Sequence, residues 1–521
     1  VYKGSGDYDD TPTDLAVDHA GNVYVTGLRN HRDSLGNNNY VYGYIEATVK
    51  YDASGNQLWV ARYNAYPYVN GCCQGGIVSF SLTVDNSGNV YVTGSRGTGR
   101  TTQTGNDYAT IKYTQTSDVD YVLNRQANDS SDEAYQINNH AWSFGNTGSN
   151  MWPESWWSQF DYSDYPYPWA WSWGSINAQS SDFPDWPLFV NAFGEASCYQ
   201  DPPPGLIIYD ARAVSTWAGI KGYWHGSGFG LAISSFLSFD NKLNISDTFP
   251  GHTTLYGVPI QDDSRRLVNL YQIYQFGHDQ LQYIEDNQGK TPSTTLAEIK
   301  EMILSTSRDD RVLSFYNQGR GGGGHAVNPY RVIVGASVDT VYIYENWAPG
   351  ALRYILFNKV SNAGNGSWDY PWMPGWGGKR GIFLMDPVSD YLTNPLLPKS
   401  VPSREKRLSA KTVTDNYLQI FNTPGMNIVL KDPTGKMIGF SDSLIVNEFG
   451  HGHPIIPFTG TTHPPIGYYL PDAKYSVQMR AFSDSNVSFS VLADSIVYSY
   501  SRTDADATET DYLGYGNSLT I

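Results

Sequence analysis

Leu15-Ala-Val-Asp-His-Ala-Gly-Asn-Val-Tyr-Val-Thr-Gly27 returns sixty-seven positions later as Leu82-Thr-Val-Asp-Asn-Ser-Gly-Asn-Val-Tyr-Val-Thr-Gly94. Its companion Ala47-Thr-Val-Lys-Tyr51 returns as Ala109-Thr-Ile-Lys-Tyr113. A motif this long occurring twice marks a repeat architecture. Each copy reads as a hairpin: Asp18 or Asp85 opens a turn, and Gly21 or Gly88 takes a positive φ. Val23/Val25 or Val90/Val92 then alternate inward on the next strand. A second turn at Asp52-Ala-Ser-Gly-Asn56 leads to Leu58-Trp59.

The shared Asp-x-x-Gly-Asn-Val-Tyr-Val-Thr-Gly resembles the bacterial β-propeller repeat. Two repeats do not close a propeller, which takes about four to eight blades. Val1-Tyr2-Lys3 aligns near Arg62-Tyr63-Asn64, the middle of a repeat. The expectation is a partial propeller over 1–116, with the missing edge supplied by further N-terminal sequence or by another molecule. Bare edge strands pair readily, so self-association through this end is expected.

The chain has 521 residues, enough for about three domains, with 28 Pro, 51 Gly and 40% hydrophobic content. A formal charge of −17 leaves no basic stripe to neutralise phosphates, which argues against nucleic acid as a partner. No apolar run reaches the ~18 residues of a membrane-spanning helix. The three cysteines, Cys72, Cys73 and Cys198, make neither a disulfide framework nor a zinc site. Abundant Tyr, Asn, Gly, Ser and Thr with few Lys and Arg suit a secreted bacterial protein, extracellular or at the cell surface. Asn128, Asn244, Asn365 and Asn486 stand in Asn-x-Ser sequons, relevant only in a host that glycosylates.

Beyond Ser117 the character changes. Eight of the 15 Trp fall between Trp142 and Trp186. Three helical signals follow: Gly230–Phe239, a long one from Asp262 to about Asp286, and one opened by a capping box at Thr295-x-x-Glu298. Strands come next, at His325–Val334, Thr340–Tyr344 and Leu352–Asn358. Helices before strands predict an α+β domain over 117–397. Pro398–Lys406 reads as a linker, and 398–521 as a β-sandwich of seven or eight strands.

Gly226-Ser-Gly-Phe-Gly-Leu-Ala-Ile-Ser-Ser235 resembles the start of the central helix of bacterial papain-like cysteine peptidases, where the pattern is Gly-x-Cys-aromatic-Gly-Met/Leu-Ala. Trp186–Gly194 resembles the entry segment ahead of that helix. Gly324-His-Ala-Val-Asn-Pro-Tyr-Arg-Val332 resembles the family's histidine strand, with Gly321–Gly324 bringing the backbone close to the helix. Asn346 before Trp347 resembles the Asn or Asp that orients the histidine. The resemblance implies a catalytic set of nucleophile, His325 and Asn346, in which Gly228 holds the nucleophile position without a thiol. A thiolate at a helix N-terminus, a base and an orienting group are what such chemistry needs, and glycine forms no covalent intermediate. Ser227 lies one position early, about 100° round a helix, and Cys198 has no activating helix behind it. Two functions stay open: a catalytically dead domain serving binding or assembly, even as a subunit of an extracellular polymer, or an active peptidase in which Gly228 replaces cysteine by engineering or error.

Trp169, Trp171 and Trp173 alternate, which suits a sugar- or peptide-stacking face or plain packing of a long excursion. The clusters Asp7–Asp10 and Asp504–Asp506 carry oxygen ligands for calcium but lack the Asp-x-Asp-x-Asp-Gly spacing. They read as solvated loops, and no cofactor is expected.

Overall fold

The computed structural model describes the chain except 1–10, 19–20, 35–39, 52–54, 56, 64–76, 86–88, 98–105, 114–118, 124–133, 158–181, 202–207, 222–224, 306–308, 336, 398–416, 423–425, 442, 482–484, 494–496, 506–510 and 516–521. The Asp7–Asp10 cluster, the Trp169–Trp173 stripe, Cys72-Cys73, Asn128 and the Pro398–Lys406 linker lie outside the described residues. Two compact units, 1–119 and 120–521, divide it.

The first unit holds the two repeats. Strands β1 (Thr11–Val17), β2 (Val23–Ser34), β3 (Tyr40–Tyr51) and β4 (Gln57–Tyr63) form one antiparallel sheet. Strands β5 (Ile77–Val84), β6 (Val90–Gly97) and β7 (Asn106–Tyr113) form a second. The motif has a hydrogen-bond rationale. Asp18 accepts from the Asn22 backbone N–H (2.9 Å), Asn22 Nδ2 (2.8 Å) and the Tyr24 hydroxyl (2.9 Å). Asp85 does the same with Asn89 N–H (2.8 Å), Asn89 Nδ2 (2.8 Å) and Tyr91 (3.1 Å). The two carboxylates thus fix Asx-type turns at both hairpins. Lys50 lies over the Tyr24 ring and Lys112 over the Tyr91 ring, both at 5.2 Å. The sheets meet through Tyr24, Leu82, Val90 and Val92, and Asp14 accepts from Leu82 N–H (2.7 Å) and Ser81 Oγ (3.1 Å). Inward alternation holds for Val90 and Val92. In the first repeat it is Tyr24 and Thr26 that are buried, because each sheet offers the other its opposite face.

The second unit opens with β8 (Val119–Val122) and a series of short helices: α1 (Ile137–His140), α2 (Gly148–Met151) and α3 (Glu154–Trp157). Next come α4 (Trp186–Phe193), α5 (Glu195–Cys198), the ribbon β9 (Tyr199–Asp201) and β10 (Ile208–Tyr209), and α6 (Ala211–Ile220). The buried α7 (Gly228–Phe239) is followed by α8 (Ile245–Thr248), α9 (Asp262–Tyr274), α10 (His278–Asn287) and α11 (Pro292–Leu304). An eight-stranded sheet follows: β11 (Arg311–Tyr316), β12 (Gly324–Val334), β13 (Val338–Tyr344), β14 (Arg353–Asn358), β15 (Ser367–Asp369), β16 (Gly377–Gly378) and β17 (Ile382–Pro387), paired antiparallel, with β8 added on β12.

Two expectations are corrected here. The single helix Asp262–Asp286 is two, α9 and α10, broken at Gly277, where a Cβ would meet Gln280 Oε1 at 2.4 Å and Pro395 at 2.6 Å. The third helix opens at Thr291, whose hydroxyl caps Thr294 N–H. Thr295 is interior and donates instead to the Ile382 carbonyl (2.7 Å).

The C-terminal part is a sandwich of two five-stranded sheets, so it exceeds seven or eight strands. One contains β18 (Tyr417–Asn422), β22 (His453–Ile455), β23 (Gly467–Pro471), β25 (Ser485–Leu492) and β26 (Val497–Ala505). The other contains β19 (Met426–Lys431), β20 (Met437–Ser441), β21 (Leu444–Asn447), β24 (Tyr475–Ala481) and β27 (Asp511–Tyr515). The sandwich has its own core around Ile428, Leu430 and Val477. Phe421, Ile455, Ile456, Phe458, Ile466 and Tyr469 belong instead to the core of the preceding domain.

Candidate functional site

Helix α7 is buried along its whole length. It crosses α9 at Gly230, where a Cβ would come within 1.9 Å of the Val268 carbonyl oxygen. Its head is tied down by Asn146, which accepts from the Ser227 backbone N–H (2.6 Å). Gly226, at φ 152°, has no room for a side chain, since a Cβ would sit 2.4 Å from Asn146 Oδ1. Ser227 is buried and donates to Asn269 Oδ1 (2.7 Å), toward α9. Gly228 is the first helical residue. A Cβ there would lie 3.0 Å from Asn146 Nδ2, 3.0 Å from the Phe458 carbonyl oxygen and 3.4 Å from Asn346 Oδ1.

His325, in β12, is fully buried, and its Nε2 meets Glu345 Oε1 at 2.8 Å. The side chain that reaches the ring is therefore Glu345, one residue before the expected Asn346. Glu345 also accepts from the Trp347 N–H (3.0 Å) and from the Tyr370 hydroxyl. Burial by itself pushes the Glu345 carboxyl up, but His325, Tyr370 and the Trp347 amide outweigh it and hold it below its ordinary value. With the carboxylate accepting, Nε2 is the donor of this pair. The ring Nδ1 is buried with no hydrogen-bond partner among the described residues.

Asn346 does other work. Its Nδ2 donates to the Gly228 carbonyl (3.0 Å) and the Ala326 carbonyl (2.8 Å), and its Oδ1 accepts from Asn146 Nδ2 (3.0 Å). It braces the helix head against the histidine strand. The structure thus brings Gly228, His325 and Asn346 together and adds Asn146, Glu345 and Tyr370. The cue to Glu345 was its place two residues before Trp347; nothing local in Phe144-Gly-Asn146 singled out Asn146.

The loop 456–466, which joins β22 to β23 of the sandwich, packs against the head of α7 and the neighbouring ends of β11 and β12. Phe458 N–H donates to Gln275 Oε1 (2.8 Å). The Phe458 carbonyl accepts from Phe229 N–H (3.1 Å) and Gln272 Nε2 (3.3 Å). The Thr459 carbonyl accepts from Asn146 Nδ2 (2.9 Å) and Trp347 Nε1 (3.3 Å), and Gly460 N–H donates to the Gly324 carbonyl (2.8 Å). The Phe458 ring stacks on Tyr316 and Phe229 at centroid distances of 5.4 and 5.9 Å. Gly460, at φ 83°, sits where a Cβ would be 2.1 Å from Trp347 Nε1 and 2.8 Å from His325 Nδ1.

The glycine run has the same cause. A Cβ on Gly322 would lie 2.6 Å from the His463 carbonyl oxygen, and one on Gly323 2.2 Å from that of Thr461. Gly322 and Gly323 therefore make way for the sandwich loop.

Trp186–Phe193, the expected entry segment, is helix α4, capped by Asp185, whose carboxyl burial pushes up to about 7. Cys198 closes the short α5 and is buried; burial, with Asp210 and Glu195 nearby, raises its thiol, the opposite of activation. No group of three or more metal-ligating side chains occurs among the described residues. No helix among them is long and apolar enough to cross a membrane.

Among known proteins, the model of the SBBP beta-propeller repeat family matches residues 2–31. No curated protein matches the chain, and no solved structure does. The N-terminal segment thus carries a beta-propeller repeat, at the first of the two hairpins that share the Asp-Asn-Tyr turn.

Proposed function

We propose that residues 117–397 form a papain-like domain that has lost its nucleophile, and that its cleft serves as a socket for polypeptide, filled here by the chain's own sandwich loop. The chain is then an extracellular binding or structural protein and not a peptidase. One observation carries this reading: the helix-head position holds glycine, and the Phe458–Gly460 backbone lies across it. The donors that would face a substrate carbonyl there, Phe229 N–H and Asn146 Nδ2, are already engaged by loop carbonyls.

Gly228→Cys tests it. The expected result is slow alkylation by iodoacetamide, at the rate of an ordinary buried thiol, with no peptide hydrolysis. Rapid stoichiometric alkylation together with proteolysis would overturn the reading. The second reading, an active peptidase altered at 228, draws support from the His325–Glu345–Tyr370 series, in which a buried carboxylate orients the ring and Nδ1 is without a hydrogen-bond partner among the described residues. Mass spectrometry of the Gly222–Phe239 peptide from the native source separates the two: cysteine at 228 favours the second, glycine the first.

A further inference from the structure

A cavity of about 460 Å³ runs along the seam between the α+β domain and the sandwich, within the size range of small-molecule sites. It opens between the end of α10, the turn that follows β11 and the loop 448–452, which joins β21 to β22. None of Gly228, His325 and Asn346 lines it.

Its walls are built by interactions of the chain with itself. The buried Glu285 accepts from Gly452 N–H (2.6 Å) and Gln288 Nε2 (3.0 Å) and meets His453 Nδ1 (3.1 Å). The Gly452 carbonyl accepts from Asn447 Nδ2 (3.0 Å), and Asn447 Oδ1 accepts from Phe449 N–H (3.1 Å). The Phe449 ring stacks on Tyr475 at 5.7 Å. Across the cavity, Asn317 accepts from Gly319 N–H (2.8 Å) and donates to the Gly322 carbonyl (2.9 Å), which sets the turn. Gln318 lies on Gly378 and Gly381, where a Cβ would come within 2.8 Å of its Cγ and 2.4 Å of its Nε2.

Within this frame several polar groups have nothing to bond. Tyr316 is only 5% exposed and reaches the cavity, yet its hydroxyl makes no hydrogen bond to a described residue. Burial, and then the Glu285 charge, hold that hydroxyl protonated, so it stays a donor. The Gln318 amide and the Arg380 guanidinium, on exposed residues, likewise bond no described residue. A buried polar group left unpaired beside a preformed cavity calls for water or a ligand.

The lining also sets the ligand's chemistry. Exposed Asp286 and exposed Arg380 both border the cavity, and Glu285 is already engaged. A ligand of net charge would gain from one of the two and lose to the other, which favours a neutral one. Hydroxyls donate and accept at the same atom, so a polyol satisfies a phenol, an amide, a guanidinium and a carboxylate together. Ile445, Phe449 and Ile456 offer apolar surface for its C–H groups. A peptide strand would need free main-chain groups, and the Phe449 N–H and both groups of Gly452 are taken.

We propose that this seam cavity binds a neutral mono- or disaccharide, with the Tyr316 hydroxyl, the Gln318 amide, Arg380 and Asp286 reading its hydroxyls and Phe449 facing its C–H surface. Titration of the full chain with glucose, galactose, mannose, N-acetylglucosamine, maltose and cellobiose, followed by calorimetry and amide exchange, tests this. At least one sugar is expected to bind saturably, with new protection at 285–289, 316–318 and 447–452. Tyr316→Phe, which removes only the hydroxyl, and Asp286→Ala, at an exposed position, should each weaken that binding about three- to tenfold. The urea midpoint of Asp286→Ala should stay at the parent value. No saturable binding of any of these sugars, or binding that neither substitution changes, would overturn the proposal. Protection of the same segments by trialanine and by none of the sugars would assign the cavity to peptide and overturn it as well.

Discussion

Gly460→Ala measures how firmly the sandwich loop is seated. Two costs add there. The first is conformational: φ is 83°, and an L-residue held in the left-handed region costs roughly 1–2 kcal/mol. The second is steric, because the new methyl would sit 2.1 Å from Trp347 Nε1, 2.7 Å from Trp347 Cδ1 and 2.8 Å from His325 Nδ1. His325 cannot swing away without breaking its bond to the buried Glu345, so the loop must back out or the core must give, at about 1–3 kcal/mol for overpacking. Gly435→Ala isolates the first cost, since Gly435 has φ 88° and nothing within 4 Å of its would-be Cβ. Urea unfolding of both variants beside the parent is expected to show Gly460→Ala less stable than Gly435→Ala by about 1–3 kcal/mol. Amide exchange should loosen at 456–463 in the first variant and only around 432–436 in the second. Equal losses of stability, with no loosening at 456–463, would refute the seating of the loop against His325.

Acidification should loosen the start of β22, the strand that leads into the same loop, where Glu285 accepts from Gly452 N–H (2.6 Å) and meets His453 Nδ1 at 3.1 Å. Burial depresses the His453 pKa, so its contribution is complete above about pH 6.5 and declines as pH falls below that through the folded value. Glu285, held below its ordinary value by His453 and the Gly452 amide against the pull of burial, loses its contribution at lower pH still. Asp185 and Asp386, pushed up to about 7 by burial, act with the opposite sign, their contribution falling as pH rises from about 4 toward 7. The readout is therefore the parent minus His453→Gln difference in unfolding free energy, expected to shrink between pH 7.5 and 5; a constant difference would remove His453 from the latch. Asn146→Ala deprives Ser227 N–H, the Thr459 carbonyl and Asn346 Oδ1 of a buried partner. It should cost about 1–3 kcal/mol in urea unfolding, and a loss below 0.5 kcal/mol would mean that water replaces it at no penalty.

Local chemistry was what the sequence made legible. The Asp-Asn-Tyr turn is complete within seven residues, so its two copies announce both hairpins. Helix α7 and strand β12 were placed to within two residues, because an unbroken apolar run and a glycine-to-strand switch are local signals. Boundaries failed where a distant group decided them. Gly277 interrupts the Asp262–Asp286 pattern because Pro395 presses on it, and Thr295 mimics a cap while bonding Ile382 far along the chain. The site divided in the same way. His325 and Gly228 sit in recognisable strings, whereas Asn146 lies 81 positions from the Ser227 it caps and 313 from the Thr459 it holds. No window of sequence contains that arrangement.

The glycine run shows how closely the loop 456–466 is seated. Gly322 and Gly323 carry positive φ of 67° and 109° and admit the carbonyls of His463 and Thr461 where a Cβ would clash. Gly460 yields to Trp347 and His325, and Gly228 yields to the Phe458 carbonyl. Four glycines in four places therefore answer to one loop. A cysteine at 228 would need Asn146 or the Phe458 backbone to move by a few tenths of an ångström, and its sulfur would then compete with a loop whose carbonyls already hold the local donors. Placing a thiol there would leave the loop's hydrogen bonds, its Phe458 anchor and the glycines that admit it in place. Evicting that loop is a separate demand on the free energy, so a thiol at 228 would not by itself open the head of α7.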